Sequence, residues 1–227
     1  MSSICIIPAR AGSKRIIKKN IKPFMGKPIM AYSIEAALNS GLFDVVMVST
    51  DSEEFAKVAR LYGAEVPFMR SAETANDFAS TADVINEVLD NYQNQNRSFD
   101  IVSCIYSTAP FVTPERLREA YSLIKNDIDS SFAAVAYSYP VQRSLRMKEN
   151  RIFMAYPEYV NSRSQDLEPF YHDAGQFYFS TVEAFRKNND FWGDNTTAVI
   201  LSDLEVQDLD TQTDWELAEL KFQRLHR

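Results

Sequence analysis

The chain opens on a continuously apolar run, Ile4 to Ile7 closed by Pro8, of the kind that forms a central strand buried on both faces. Polar residues dominate until Pro28, after which apolar side chains recur at Met30, Ile34, Ala37 and Leu38. That spacing predicts a helix, and Gly41 stands where a left-handed C-cap would end it. The unit then repeats. Phe43 to Ser49 reads as a second strand, and Asp51-Ser-Glu-Glu54 caps a helix that turns Phe55, Val58, Ala59 and Tyr62 inward before Gly63. Glu65 to Met69 reads as a short third strand. A polar loop leads to a helix from about Ser80 to Tyr92 with Val84, Ile85, Val88 and Leu89 on its buried face. Ile101 to Tyr106 is a fourth strand, and Thr113 with Pro114 starts a helix whose stripe is Leu117, Ala120, Tyr121 and Ile124.

Strands alternating with helices at this spacing predict right-handed crossovers and an α/β fold: a doubly wound, mostly parallel, Rossmann-like sheet with helices on both faces. After a strand at Phe132 to Tyr137 the rhythm changes. Residues 141–160 mix Arg, Lys, Tyr and Pro with no helical period, which reads as an excursion, a hairpin that covers a site, joins subunits or merely decorates the sheet. The sheet resumes at Gln176 to Ser180 and near Ala198 to Leu201. Thr211, with Asp214 three residues on, caps a last helix carrying Trp215, Ala218, Phe222 and Leu225 on one face. With no repeat and no linker rich in Gly or Ser, one domain over residues 1–227 is expected.

Composition adds exclusions. Of 227 residues, 45% are hydrophobic and 24% charged, which rules out disorder, collagen and a disulfide scaffold. No apolar run reaches the length of a signal-peptide core or a membrane span, so a cytoplasmic address without membrane partners is expected. Cys5 and Cys104 lie in strand-like runs with no Cys or His at metal spacing, which fits buried reduced thiols. The net charge of −7 argues, taken alone, against any polyanionic partner, nucleic acid included. Its distribution changes the picture. Met1 to Ile34 holds seven Lys or Arg and no acid, whereas the other 193 residues hold all 31 acids against 17 bases.

The loop after the first strand, Pro8-Ala-Arg-Ala-Gly-Ser-Lys-Arg-Ile-Ile-Lys-Lys-Asn20, sits where open α/β sheets place their ligand crevices. Gly12 and Ser13 let backbone approach a phosphate, and Arg10, Lys14 and Lys19 supply charge-assisted hydrogen bonds to its oxygens. A solvated basic loop is the plainer reading, and the acid-free stretch weighs against it. Neither the P-loop pattern nor the Gly-x-Gly-x-x-Gly fingerprint is present, so Walker-type ATP hydrolysis and NAD-linked hydride transfer lose support. Near the other end, Val206-Gln-Asp-Leu-Asp-Thr211 places Asp208 and Asp210 two apart. In an extended segment their carboxylates face the same way, an arrangement that suits Mg²⁺ bridging to a nucleotide phosphate, or simply two acids ahead of a helix start.

The first-loop motif followed by Gly26-Lys-Pro28 resembles the opening of the acylneuraminate cytidylyltransferases, the enzymes that make CMP-sialic acids. Asp208-Leu-Asp210 resembles that family's metal-binding Asp-x-Asp, and Arg70-Ser-Ala-Glu73 with Asp77 and Thr81 its second nucleotide-contact segment. Asn161-Ser-Arg-Ser-Gln-Asp166 and Tyr171-His-Asp-Ala-Gly-Gln-Phe-Tyr178 look closest to the branch that activates pseudaminic acid. One departure is visible: Tyr106 of Tyr106-Ser-Thr-Ala-Pro110 stands where sialic-acid members carry a sugar-contacting Gln, which disfavours ordinary N-acetylneuraminate.

The resemblance implies attack by the anomeric hydroxyl of a nine-carbon acidic sugar on the α-phosphorus of CTP, with Mg²⁺ as cofactor and a homodimer joined by the excursion. It implies that Arg10, Gly12, Ser13, Lys14 and Lys19 hold the triphosphate, with Arg10 and Lys19 nearest the leaving pyrophosphate. Asn20, Arg70 and Thr81 contact the nucleoside, and Asp208 and Asp210 hold the metal. On the sugar side it implies Arg163 as partner of the carboxylate, acting with Arg10 and Lys19 in the reaction. Tyr106, Gln165, His172, Asp173, Gln176 and Phe177 then line the pocket. Two other functions compete. A glycosyltransferase also uses Asp-x-Asp, but places it mid-chain and needs no basic opening loop. A noncatalytic nucleotide-sugar-binding module would have no need to retain Arg10, Lys19, Asp208 and Asp210 together.

Overall fold

The computed structural model of the protein describes residues 1–125 and 127–226. β1 (Ser3–Pro8) delivers the basic loop, which ends in a 3-10 turn at Lys19–Ile21 and a small hairpin of β2 (Pro23–Phe24) and β3 (Lys27–Pro28). Met25 and Gly26 form its turn with φ of 45° and 98°. α1 (Ile29–Ser40) follows and ends on Gly41 at φ 67°, a left-handed cap that suits glycine. Next come β4 (Val45–Ser49), α2 (Glu53–Leu61), the short α3 (Ala72–Ala75), α4 (Thr81–Asn94), β5 (Ile101–Ile105), α5 (Pro114–Leu123) and β6 (Ser130–Ala136). The chain then makes an outlying hairpin, β7 (Leu145–Lys148) and β8 (Arg151–Met154), and returns through β9 (Tyr171–Thr181), α6 (Val182–Asn188), β10 (Thr196–Leu201) and α7 (Gln212–Leu225).

The main sheet has the order β10-β6-β9-β5-β1-β4. β9 runs antiparallel between β5 and β6, and the other pairings are parallel. Alternation along β1 explains the two-sided burial. Cys5 and Ile7 join a core with α1, α2 and α5, while Ile4 and Ile6 join another with α4 and α6. A third cluster packs α7 through Trp215 and Ala218 against Phe24 of β2, with the Phe24 and Trp215 rings 5.5 Å apart edge to face. Both cysteines are buried and free, and burial holds both thiols well above their ordinary pKa. No helix among the described residues is long and apolar enough to cross a membrane.

Four expectations need correction. The strand at Glu65 to Met69 is only a bridge from Met47 to Glu65, because Pro67 has no N–H to extend the ladder. β2, β3 and α6 carry too few residues to show a period and were not anticipated. Leu38 and Leu225, assigned to buried helix faces, are each 42% exposed. β9 begins five residues earlier than expected, because an irregular stretch hides its first half. Phe132 pairs with Tyr178 and Ala134 with Asp173, so two steps along β6 are matched by five along β9.

Candidate active site

β1 ends at Pro8, and its direction carries the basic loop over the carboxyl edge of the parallel strands. The loop is pinned at several points. Ala9 N donates to Ser49 O of β4 at 2.9 Å, and Ala11 N donates to the Asp51 carboxylate at 2.8 Å. Asn20, 6% exposed, closes its far end: Nδ2 donates to Arg10 O at 2.9 Å, and Oδ1 accepts from Ser107 Oγ at 2.9 Å. The loop therefore encloses a cavity of about 510 Å³.

Five cations line that cavity: Arg10, Lys14, Arg15, Lys19 and Arg70. No Asp or Glu is among its lining residues, so the lining is cationic and suits an anion. Gly12, Ser13, Asn20, Thr81 and Tyr106 line it too, so every nucleotide residue expected from sequence reaches one space. A Cβ built on Gly12 meets nothing within 4 Å, which leaves backbone open to a ligand. Arg70 is 7% exposed, with Nε donating to Ser49 Oγ at 3.0 Å and Nη2 to Ser49 O at 2.7 Å. Burial lowers the affinity of its guanidinium for a proton, while Asp51 and Glu87 act in the opposite sense.

Outside the lining, two carboxylates hold the cations in place. Asp77, from the loop before α4, meets Arg10 Nη1 at 2.6 Å and Lys14 Nζ at 2.5 Å, contacts that hold its carboxyl below the usual range. Asp210 meets Arg15 at 2.7 Å and lies 3.8 Å from Lys19. Lys19 Nζ also donates to Leu209 O at 2.6 Å, tying the basic loop to the Asp208–Asp210 segment across the chain. Burial lowers the pKa of Lys19, and Asp210 and Asp208 partly restore it. Leu209 is 1% exposed in the third cluster, so the acids on either side of it turn outward together.

The sequence matches the family described as cytidylyltransferase over residues 4–202. The chain belongs to the cytidylyltransferase family. Over its whole length it is 42% identical to the pseudaminic acid cytidylyltransferase of Campylobacter jejuni, of which it covers 98%. It is 36% identical to the CMP-N,N'-diacetyllegionaminic acid synthase of Legionella pneumophila, over 96% of this chain and 95% of that one. Among solved structures, a CMP:2-keto-3-deoxy-manno-octonic acid synthetase complexed with CTP superposes with a TM-score of 0.70 at 17% identity, over 99% of this chain and 100% of that one. That last likeness speaks to the fold alone.

In this cytidylyltransferase a second cavity, of about 300 Å³, adjoins the first and shares Ser80, Thr81 and Tyr106 with it. Asp173 and Tyr178 of β9 line it on one side, and Asp190 and Trp192 on the other. Tyr178 Oη donates to Asp173 Oδ2 at 2.6 Å, and Tyr106 Oη lies 3.3 Å from Thr81 Oγ1. Burial raises the phenol pKa of both tyrosines. The remaining sugar-side expectations fall elsewhere. Phe177 is fully buried in the core beside Phe179, and Gln176, 3% exposed, donates through Nε2 to Glu205 O, because both belong to the covered part of β9. Arg163 is exposed, with Nε donating to Asp166 at 2.6 Å. Gln165 and His172 are exposed as well, and His172 packs on Tyr137 with ring centroids 4.8 Å apart. None of these five lines either cavity. Arg15, Ser107, Asp190 and Trp192 were not singled out from sequence. Only Arg15 carried a signal, its place in the basic run.

Among the described residues no three of His, Cys, Asp and Glu gather as a metal cluster. Two carboxylates with hard oxygen donors still fit Mg²⁺, an ion usually held by one or two carboxylates together with substrate phosphates and water.

Proposed function

We propose that the protein transfers a cytidylyl group from CTP to a nine-carbon 2-keto acid sugar, pseudaminic acid, giving the CMP-sugar and pyrophosphate. The observation that carries this reading is the acid-free cavity lined by five cations beside Asp208 and Asp210, in a chain 42% identical over its full length to a pseudaminic acid cytidylyltransferase. The sugar's anomeric oxygen bonds to the α-phosphorus, the bond to the bridging oxygen breaks, pyrophosphate leaves with that electron pair, and the hydroxyl proton passes to solvent. Both reactants are anions, so positioning and charge neutralisation carry the catalysis. Arg10, Lys14 and Lys19 neutralise the triphosphate and Ser13 donates a hydrogen bond to it, with Arg10 and Lys19 at the leaving group. Arg70, Asn20 and Thr81 contact the nucleoside. Asp208 and Asp210 would hold Mg²⁺, which when bound offsets charge on the phosphate oxygens.

The outlying hairpin supports a homodimer. Opposite residues pair as Leu145 with Met154 and Met147 with Ile152, so one face is wholly apolar. Leu145, Met147 and Ile152 are 60%, 71% and 59% exposed, and a two-stranded hairpin is marginal alone. A second copy would cover this face. A cytoplasmic address belongs to this reading, since CTP is made there.

The test is pyrophosphate release from CTP and Mg²⁺ with either pseudaminic acid or N-acetylneuraminic acid. Release with pseudaminic acid is expected. Release only with N-acetylneuraminic acid would replace the substrate, and release with neither would remove the reading.

A further inference from the structure

Of the five cations lining the first cavity, Arg15 has no part in the contacts assigned so far, and its partner is one of the two carboxylates assigned to the metal. Arg15 Nη1 lies 2.7 Å from Asp210 Oδ2, an oxygen that a divalent cation would also seek. The contact is built from both sides. Ile16, 6% exposed, and Leu209, 1% exposed, share the third cluster with Phe24 and Trp215, which brings the residue before one beside the residue after the other. Lys19 fixes the same juncture, with Nζ donating to Leu209 O at 2.6 Å.

The two carboxylates are not equivalent. Asp208 is exposed, and among the described residues no cation pairs with it. Asp210 is half-buried and pairs with Arg15, with Lys19 Nζ 3.8 Å away. A divalent cation approaching alone therefore meets one open carboxylate and one that Arg15 contests. Displacing Arg15 costs least when another anion receives it. The triphosphate is such an anion, because Arg15 lines the same cavity as Arg10 and Lys14. The Arg15 side chain is 68% exposed, so little packing holds its guanidinium on Asp210 and it can turn to phosphate oxygens.

Resting on the metal and triphosphate assignments above, we propose that Arg15 couples the two ligands: it competes with the divalent cation for Asp210 and yields that carboxylate when the triphosphate supplies other oxygens. Arg15 is thus a positioning residue that acts through Asp210. The coupling is reciprocal, so each ligand raises the affinity of the other by the same factor. Contact between metal and phosphate contributes to that factor in any case. Arg15 enlarges it by weakening the binding of the cation on its own, so the metal is brought in with CTP rather than ahead of it.

The test titrates Mn²⁺ alone, followed by electron paramagnetic resonance, into wild type, Arg15→Ala and Lys14→Ala. In Arg15→Ala the Kd for Mn²⁺ should fall about 2- to 5-fold, within the range for one exposed ion pair. Lys14→Ala removes an equal charge from the cavity, but Lys14 pairs with Asp77 rather than Asp210, and its Kd should stay within about 2-fold of wild type. Made in Asp210→Asn, the Arg15→Ala change should no longer tighten Mn²⁺, since its effect runs through that carboxylate. Calorimetry without sugar then gives the Kd for CTP in EDTA and at saturating Mg²⁺. The ratio of the two should be about 2- to 5-fold smaller in Arg15→Ala than in wild type. An equal fall in Arg15→Ala and Lys14→Ala would reduce the effect to overall charge and overturn the proposal. An Mn²⁺ Kd that Arg15→Ala leaves unchanged or raises overturns it too, as does tightening that persists in Asp210→Asn. If CTP and Mg²⁺ fail to strengthen each other in wild type, the metal assignment and this inference fall together. Coupling in wild type that Arg15→Ala leaves intact removes this inference alone.

Discussion

Neutralising Asp77 should make the protein bind CTP more tightly, the opposite of what most changes at an active site do. Its carboxylate sits 2.6 Å from Arg10 Nη1 and 2.5 Å from Lys14 Nζ, where it would compete with a phosphate for both cations. Two of the five cations lining the cavity are thus engaged before the triphosphate arrives. Exposed pairs of this kind are each worth a factor of about 1.4 to 5 in an equilibrium constant. They share one carboxylate and so are not independent, which sets the combined effect of Asp77→Asn at roughly 3- to 10-fold. The change should appear as a lower Kd for CTP by calorimetry and a lower KM at saturating sugar and Mg²⁺. It should shrink as salt is raised. Since Asp77 is held below the usual carboxylate range, it stays ionised near neutral pH and the difference should be flat there. Helix α4 has its own capping box between Ser80 and Asp83, so folding should be spared. A Kd that rises at low ionic strength would refute the reasoning and make Asp77 a residue that orients Arg10 for the nucleotide.

Asp210→Asn should abolish turnover at millimolar Mg²⁺ while leaving the urea midpoint nearly unchanged, and unaltered activity would remove the metal assignment. Arg70→Met should weaken CTP binding about 10- to 100-fold by calorimetry, because a buried guanidinium with two of its five donors on Ser49 has the rest to offer a ligand. Glu205→Gln should cost about 1 to 2 kcal/mol in urea unfolding at pH 7, since Glu205 receives Arg116 Nε at 2.9 Å and Nη2 at 3.1 Å. Burial pushes the Glu205 pKa up, but hydrogen bonds from Arg116 and Ser202 outweigh it and the folded value is depressed. Its contribution is therefore present above the unfolded carboxyl pKa of about 4.3 and is lost as pH falls through the folded value, where the two unfolding curves should converge. Met147→Lys with Ile152→Lys should yield a monomer by sedimentation if the hairpin face joins two copies, and an unchanged mass would locate the interface elsewhere.

The fold and the basic loop that lines the first cavity were legible in the sequence for the same reason: both rest on local pattern. The two-sided apolar run of β1 and the helical stripes of α1, α2, α4 and α5 specify which faces are covered, and a basic loop after such a strand must lie at the carboxyl edge of the sheet. Asp208 and Asp210 needed only the two-residue period of extended chain. Where a reading failed, something non-local decided. Pro67 ended a ladder whose neighbouring residues favour a strand, and Asp77 was legible as part of a contact segment but not as the counter-ion of Arg10, 67 residues away.

The sugar side shows the limit of periodicity most clearly. Asp173 and Tyr178 are five apart, so in a regular strand they would point to opposite faces of the sheet. They meet at 2.6 Å only because β9 spends three extra residues between its pairings with Ala134 and Phe132, which reverses the parity. By the same shift Gln176 and Phe177, which look like neighbours of Asp173 in a shared pocket, turn into the covered part of the strand. One residue announces the irregularity: Gly175, at φ 61°, takes a conformation that other residues rarely adopt and donates its N–H to the Asp173 carboxylate. A glycine inside a strand pattern, flanked by an acid and an aromatic alcohol at odd spacing, is therefore evidence for a bulge that brings them together. Replacing Gly175 by Val should strain that turn, release Asp173 from Tyr178 and raise the sugar KM while sparing CTP.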